Sequence, residues 1–179
     1  MVRTFVAVDL PEEMRERIAV VAQALRGSAA RLTFVAPSQI HVTLAFLGEV
    51  DATRLDAVAD ALEAVRPAPF ELAVGPIVGN SRSSPRTIWC PCTDEGSLAA
   101  LAGDVGAALE PLGFSRERRA FRGHATVARV KVFHPSLLDR LASLPRDGFG
   151  SFTVDRFRLK KSTLLPQGPV YEDLAEVVL

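Results

Sequence analysis

No apolar run in the sequence approaches the roughly 20 residues that a membrane-spanning helix needs, so no such helix is expected. The short apolar opening from Met1 to Leu10 meets Pro11-Glu12-Glu13 at once and reads as a strand leading into a helix, not as a secretory leader. The expected compartment is the cytosol. Cysteine is nearly absent. Cys90 and Cys92 flank Pro91 on one stretch of chain, an arrangement that rarely closes a disulfide, and two thiolates do not complete a zinc site. They read as small buried apolar side chains. Neither sign of charge is in excess: 21 Lys and Arg balance 21 Asp and Glu. That balance excludes a strongly basic, non-specific nucleic-acid binder but leaves room for an enzyme that touches only a terminus. Low-complexity segments and long linkers are also missing, and 179 residues suffice for one domain with a full core or two small fused lobes.

The periodicities present alternate between two types. Thr4 to Leu10 reads as a strand, and Pro11 opens a helix to about Arg26 with Met14, Ile18, Val21 and Leu25 on one face. Short strands follow at Leu32–Val35 and Ile40–Leu47. Asp51 then caps a helix to about Val65. Phe70–Val78 and Arg86–Cys92 read as a hairpin around a polar loop. Ser97–Leu112 is helical and ends at Gly113. Phe121–Val132 is a strand, Pro135–Leu144 a helix, and Phe152–Leu165 and Val170–Leu179 are strands. Short turns join several strand pairs, which predicts an α+β fold of antiparallel sheets with helices packed against them.

Histidine is scarce, with three in the chain, and two of the three open one pattern: His41-Val42-Thr43-Leu44-Ala45 and His124-Ala125-Thr126-Val127-Ala128. On a strand, residues two apart share a face about 7 Å apart. His41 and Thr43 therefore share one face, with Val42, Leu44 and Phe46 opposite in the core. His124 and Thr126 share a face in the same way. Two such pairs facing each other enclose a volume suited to a tetrahedral phosphate. Two hydroxyls donate to its non-bridging oxygens, and two imidazoles, which titrate near neutrality, serve the attacking and leaving oxygens. No metal or cofactor is required. His134, before Pro135, reads as a surface turn or cap residue.

These motifs, with the opening Arg3-Thr4-Phe5-Val6-Ala7-Val8-Asp9-Leu10-Pro11, the extension Phe46-Leu47-Gly48-Glu49 and the tail Gly168-Pro169-Val170-Tyr171, resemble the 2H phosphoesterases. Within them the chain is similar to the RNA 2′,3′-cyclic phosphodiesterases once called 2′-5′ RNA ligases, and the resemblance runs over nearly its whole length. It implies a single 2H domain over residues 1–179, made of two pseudo-symmetric lobes. Two antiparallel sheets would face a central cleft, with helices on the outer faces. It implies opening of a terminal cyclic phosphate to a 2′-phosphate, with His124 as proton acceptor, His41 as proton donor, and Thr43 and Thr126 holding the phosphate. Reverse 2′-5′ ligation is implied as a secondary reaction. The family commonly has proline before the second histidine, where this chain has Gly123.

Arg129 fits the family pattern as a phosphate contact, yet strict alternation puts it on the face opposite His124, from which it reaches the cleft only through a bend or bulge. Residues 116–122, rich in arginine, and Arg82 with Arg86 are candidates for guiding RNA phosphates. Phe5 and Phe34 are candidates for stacking a base, but sit in apolar patterns that favour the core. The expected partner is an RNA end carrying a cyclic phosphate, with no membrane, no obligate protein partner and a monomeric state. Two alternatives stand beside this reading. One is a cyclic phosphodiesterase on small nucleotides or 2′-5′ linkages. The other is a non-catalytic module that binds nucleotides or RNA ends.

Overall fold

The computed structural model describes residues 1–115, 119–165 and 168–179. Ten strands and four α-helices follow in the order β1 (Val2–Asp9), α1 (Glu12–Ala22), β2 (Arg31–Phe34), β3 (His41–Val50), α2 (Leu55–Glu63), β4 (Phe70–Val74), β5 (Val78–Gly79), β6 (Thr87–Thr93), α3 (Ser97–Leu109), β7 (His124–Val132), α4 (Ser136–Ser143), β8 (Gly150–Val154), β9 (Arg156–Leu165) and β10 (Gly168–Val178). The expected α+β class is found. The two expected antiparallel sheets are present as two halves of one strand path, β10-β9-β1-β3 and β7-β6-β4-β8. They are joined where Val42 of β3 pairs with Ala125 of β7. Where β3 leaves, β2 takes over the same edge of β7, pairing Leu32, Thr33 and Phe34 with Val130, Arg129 and Ala128. The edge of β7 thus keeps its backbone partners while the two halves part.

Local sequence accounts for the helix ends. Pro11 precedes α1 with Glu12 and Glu13 in its first turn, where acidic groups meet the positive end of the helix. The Asp51 carboxylate accepts from the Thr53 amide at 3.0 Å and caps a short 3₁₀ turn ahead of α2. Gly113, at φ 83°, terminates the turn after α3 as expected. The apolar faces of α1, α2 and α3 join one core cluster with Val6, Val8, Val42, Ala125, Val127, Cys90 and Cys92. Both cysteines are buried, and burial raises both thiols, Cys92 to about 12. Neither is poised as a nucleophile. His134 is exposed and caps α4: its Nδ1 accepts from the Ser136 amide at 3.2 Å, and its carbonyl accepts from Leu137. Among the described residues, no helix is long and apolar enough to cross a membrane.

Candidate active site

Val42 and Ala125 are both fully buried, so the residues on either side of them project from the other face of the sheet. This antiparallel register sets His41 across from Thr126 and Thr43 across from His124. All four predicted site residues are brought together at the junction of the two halves, each half-buried. The imidazoles have matching settings. His41 Nδ1 donates to the carbonyl of Gln39 at 2.7 Å, and His124 Nδ1 donates to the carbonyl of Arg122 at 2.8 Å. In each case the acceptor lies two residues upstream, which leaves Nε2 as the nitrogen not committed to the backbone. His41 Nε2 lies 3.1 Å from Thr43 Oγ1. The Gln39 side chain is itself tied down, donating to the carbonyl of Pro169.

Aromatic rings hold both histidines, and sequence reasoning missed most of them. The Phe5 ring lies 4.9 Å from that of His41, and Tyr171 meets His41 edge-on at 5.4 Å. Trp89, the only tryptophan of the chain, lies 4.3 Å from His124. Its signal in the sequence was its place between Ile88 and Cys90, which puts it on the face opposite the core. Phe5 is buried as expected, but against His41. Phe34 is half-buried, with the Arg26 guanidinium 4.4 Å above its ring.

Burial lowers the His41 pKa below its ordinary value. The bond to the Gln39 carbonyl and the Asp9 carboxylate oppose this, while Lys160 and His124 add to it. Asp9 sits opposite His41 on β1 and pairs with Arg158 at 2.6 Å and Lys160 at 2.9 Å. Lys160 also reaches Asp173 at 2.6 Å, and Arg158 closes on Glu176. Sequence distance hid this network, since Asp9 and Lys160 lie at opposite ends of the chain.

Two β-bulges correct the simple alternation. On β3, Ala7 pairs with Thr43 and Val6 with Ala45, leaving Leu44 as the extra residue. On β7, Trp89 pairs with Thr126 and Ile88 with Ala128, leaving Val127 extra. Each bulge falls three residues after its histidine and reverses the facing of the residues beyond it. Phe46, expected in the core, is instead 74% exposed, 6.2 Å from Phe5. Arg129 returns to the His124 face, close enough to Tyr171 for its charge to oppose the rise that burial gives that phenol. Arg82, Arg86, Arg119 and Arg122 are exposed, and 116–118 lie outside the described residues. At Gly123 a Cβ would come within 2.5 Å of Leu98 and 3.0 Å of the Cys92 carbonyl, so the residue before the second histidine packs too closely for a side chain.

A duplicated His-x-Thr strand on an antiparallel α+β fold defines the class of the 2H phosphoesterases. The chain belongs, within that class, to the LigT-like phosphoesterase family, whose profile matches it twice, over residues 8–89 and 91–171. His41 lies as far into the first match as His124 lies into the second. The chain is 38% identical over 173 residues to the RNA 2′,3′-cyclic phosphodiesterase of Archaeoglobus fulgidus, covering 96% of this chain and 97% of that one. It is 32% identical to the RNA 2′,3′-cyclic phosphodiesterase of Methanocaldococcus jannaschii, covering 97% and 99%. Among solved structures it is similar to a protein of Thermus thermophilus, with a TM-score of 0.80 and 31% identity over 99% of this chain and 97% of that one. Escherichia coli LigT complexed with 3′-AMP gives a TM-score of 0.79 at 27% identity, covering 99% and 97%.

Proposed function

We propose that this protein hydrolyses the 2′,3′-cyclic phosphate ends of RNA to 2′-phosphate ends by acid–base catalysis between His41 and His124, without a metal ion. The matched setting of the two imidazoles carries this reading. Each commits Nδ1–H to a carbonyl of its own strand and keeps Nε2 for chemistry. Two such nitrogens, with a hydroxyl opposite each, suit an in-line displacement at phosphorus.

On this reading His124 Nε2 takes a proton from water as the water oxygen bonds to phosphorus. The bond from phosphorus to O3′ breaks, and His41 Nε2 gives that oxygen its proton. Solvent exchange then restores both imidazoles. Thr43 and Thr126 donate to the non-bridging oxygens, and Arg129 offsets the charge that builds on them. His41 must carry a proton at the start, although burial opposes it. The bound phosphodiester brings one negative charge beside the ring and favours the imidazolium, so protonation and substrate binding are coupled. The exposed ring of Phe46 offers a face for a nucleobase.

The whole chain, residues 1–179, acts here as one domain with two pseudo-symmetric lobes, each supplying one motif, as a cytosolic monomer. When a 5′-hydroxyl replaces the water, the same steps join two RNA ends through a 2′-5′ linkage. A second reading, small cyclic nucleotides as substrates, has specific support: E. coli LigT has been crystallised with 3′-AMP, NADP⁺ and ATP.

The test is a short RNA with a 2′,3′-cyclic phosphate, incubated with the protein in EDTA. The expected product is a 2′-phosphate, with turnover abolished by His41→Ala and by His124→Ala. A 3′-phosphate reverses the leaving group. Turnover only on small cyclic nucleotides selects the second reading. No turnover on either leaves a binding module.

A further inference from the structure

A cavity of about 440 Å³ opens beside His41, lined by Arg15, Ser38, Gln39, His41, Lys160 and Tyr171 among others. None of its lining residues comes from β6 or β7, so it lies wholly on the His41 side of the junction. Its size falls within the range of about 300–1,000 Å³ usual for small-ligand sites.

The charges in this cavity are not equivalent. Asp9 is held by Arg158 and Lys160, and Asp173 by Lys160 at 2.6 Å and Arg158 at 3.3 Å. These groups satisfy one another. Arg15 has no such partner: among the described residues no carboxylate lies within ion-pair distance of it. One of its terminal nitrogens donates to the Ser38 carbonyl at 2.9 Å, while its Nε is buried with no hydrogen-bond partner. A guanidinium without a counter-ion on the wall of a polar cavity favours an anion there through its charge.

The proposed chemistry says which anion reaches it. In an in-line displacement the leaving oxygen stands opposite the attacking water, so with His41 as the acid the ribose that bears O3′ lies on the His41 side of phosphorus. The 5′ oxygen of that same ribose carries the phosphate of the preceding linkage. We infer that the cavity beside His41 is a subsite for the phosphodiester joining the terminal nucleotide to the one before it, and that Arg15 is the residue that binds it. This rests on the acid role proposed for His41. It makes the protein selective for cyclic ends carried on a chain over free nucleoside cyclic phosphates.

The experiment compares two substrates, a nucleoside 2′,3′-cyclic phosphate and a dinucleotide ending in the same cyclic phosphate. The wild-type protein is expected to show a kcat/KM about tenfold higher on the dinucleotide, mostly through KM, with the advantage shrinking as salt rises. Arg15→Met collapses the ratio between the substrates toward one, and Arg15→Lys restores part of it by keeping the charge. A purely structural role for Arg15 lowers both substrates together, leaves the ratio intact and overturns the inference. So does a wild-type ratio near one, or one that salt does not move, and neither result needs a variant. Absence of turnover on both substrates instead brings down the proposed reaction itself, and the subsite with it.

Discussion

At His41 and His124 the ring nitrogen nearest the backbone is already committed, to the carbonyls of Gln39 and Arg122. A neutral ring so held can only accept a proton at Nε2, and a charged ring so held can only deliver one from Nε2. The geometry suits both roles alike, and the surroundings distinguish them. His41 lies below the ordinary imidazole value because burial outweighs the Gln39 carbonyl and Asp9. As the acid it must be charged, so activity is lost as pH rises through its pKa. As the base His124 must be neutral, so activity is lost as pH falls. The pH profile of kcat/KM, which reports the free protein, is therefore expected to be bell-shaped, and because burial lowers His41 one of its two limbs falls below 6.5. In kcat the His41 limb moves upward, because the bound phosphate now favours the charged ring. A kcat/KM profile with both limbs above 6.5 speaks against a buried, depressed His41 taking part in the proton transfers.

Among the strands, the pattern read from sequence holds up to the third residue past each histidine and fails beyond it. The shared faces of His41 with Thr43 and of His124 with Thr126 follow from a period of two and needed nothing else. Phe46 and Arg129 lie past the bulges at Leu44 and Val127, and no local signal marks a bulge built from ordinary apolar residues. The helices were legible because their apolar spacing is long: Leu98, Leu101, Val105 and Leu109 of α3 are all buried as expected. Trp89 and the Asp9 network were not, because their meaning depends on which strands become neighbours. Arg129, returned to the His124 face, is predicted to matter to the reaction: Arg129→Ala lowers kcat/KM by roughly 10- to 100-fold, the range expected for one charge-assisted phosphate contact. A loss under twofold in steady-state assays places the guanidinium away from the phosphate. Gly123 is the complementary case. Its Cβ would collide with Leu98, itself 2% exposed, and with the Cys92 carbonyl. Gly123→Ala is therefore expected to cost about 1–3 kcal/mol of stability, by analogy with overpacked cores. It also displaces the Arg122 carbonyl that holds His124, so kcat falls with the melting temperature. Unchanged values of both show that the start of β7 has room to relax.

Over the whole molecule, the two family matches do not coincide with the two halves of the sheet. β4, from the first match, pairs with β8 of the second, while β9, from the second, lies in the same half as β3 of the first. Each half of the sheet thus draws strands from both matches. The N-terminal and C-terminal strands meet in the half that carries His41. There Asp9 of β1 grips Arg158 and Lys160 of β9, and these in turn hold Asp173 and Glu176 of β10. The Lys160 side chain is 9% exposed and that of Asp9 17%, so solvent screens the pair little. Asp9→Asn keeps the shape and removes the charge, leaving two enclosed cations short of a partner. The expected loss is about 3 kcal/mol at neutral pH, at the low end for a broken buried pair because Asp173 and Glu176 remain. Burial pushes the Asp9 carboxyl up, yet Lys160 and Arg158 together draw it below its ordinary value of 3.8. A carboxyl depressed in the folded state stabilises the protein above its unfolded pKa, and that share is lost as pH falls through the lower, folded value. Urea unfolding at pH 7 should therefore separate the wild-type protein from Asp9→Asn, and the gap should close progressively below about pH 4. A gap that persists undiminished at pH 2 would mean that the variant loses packing rather than charge, and that the link between the chain's two ends does not depend on this carboxylate being ionised.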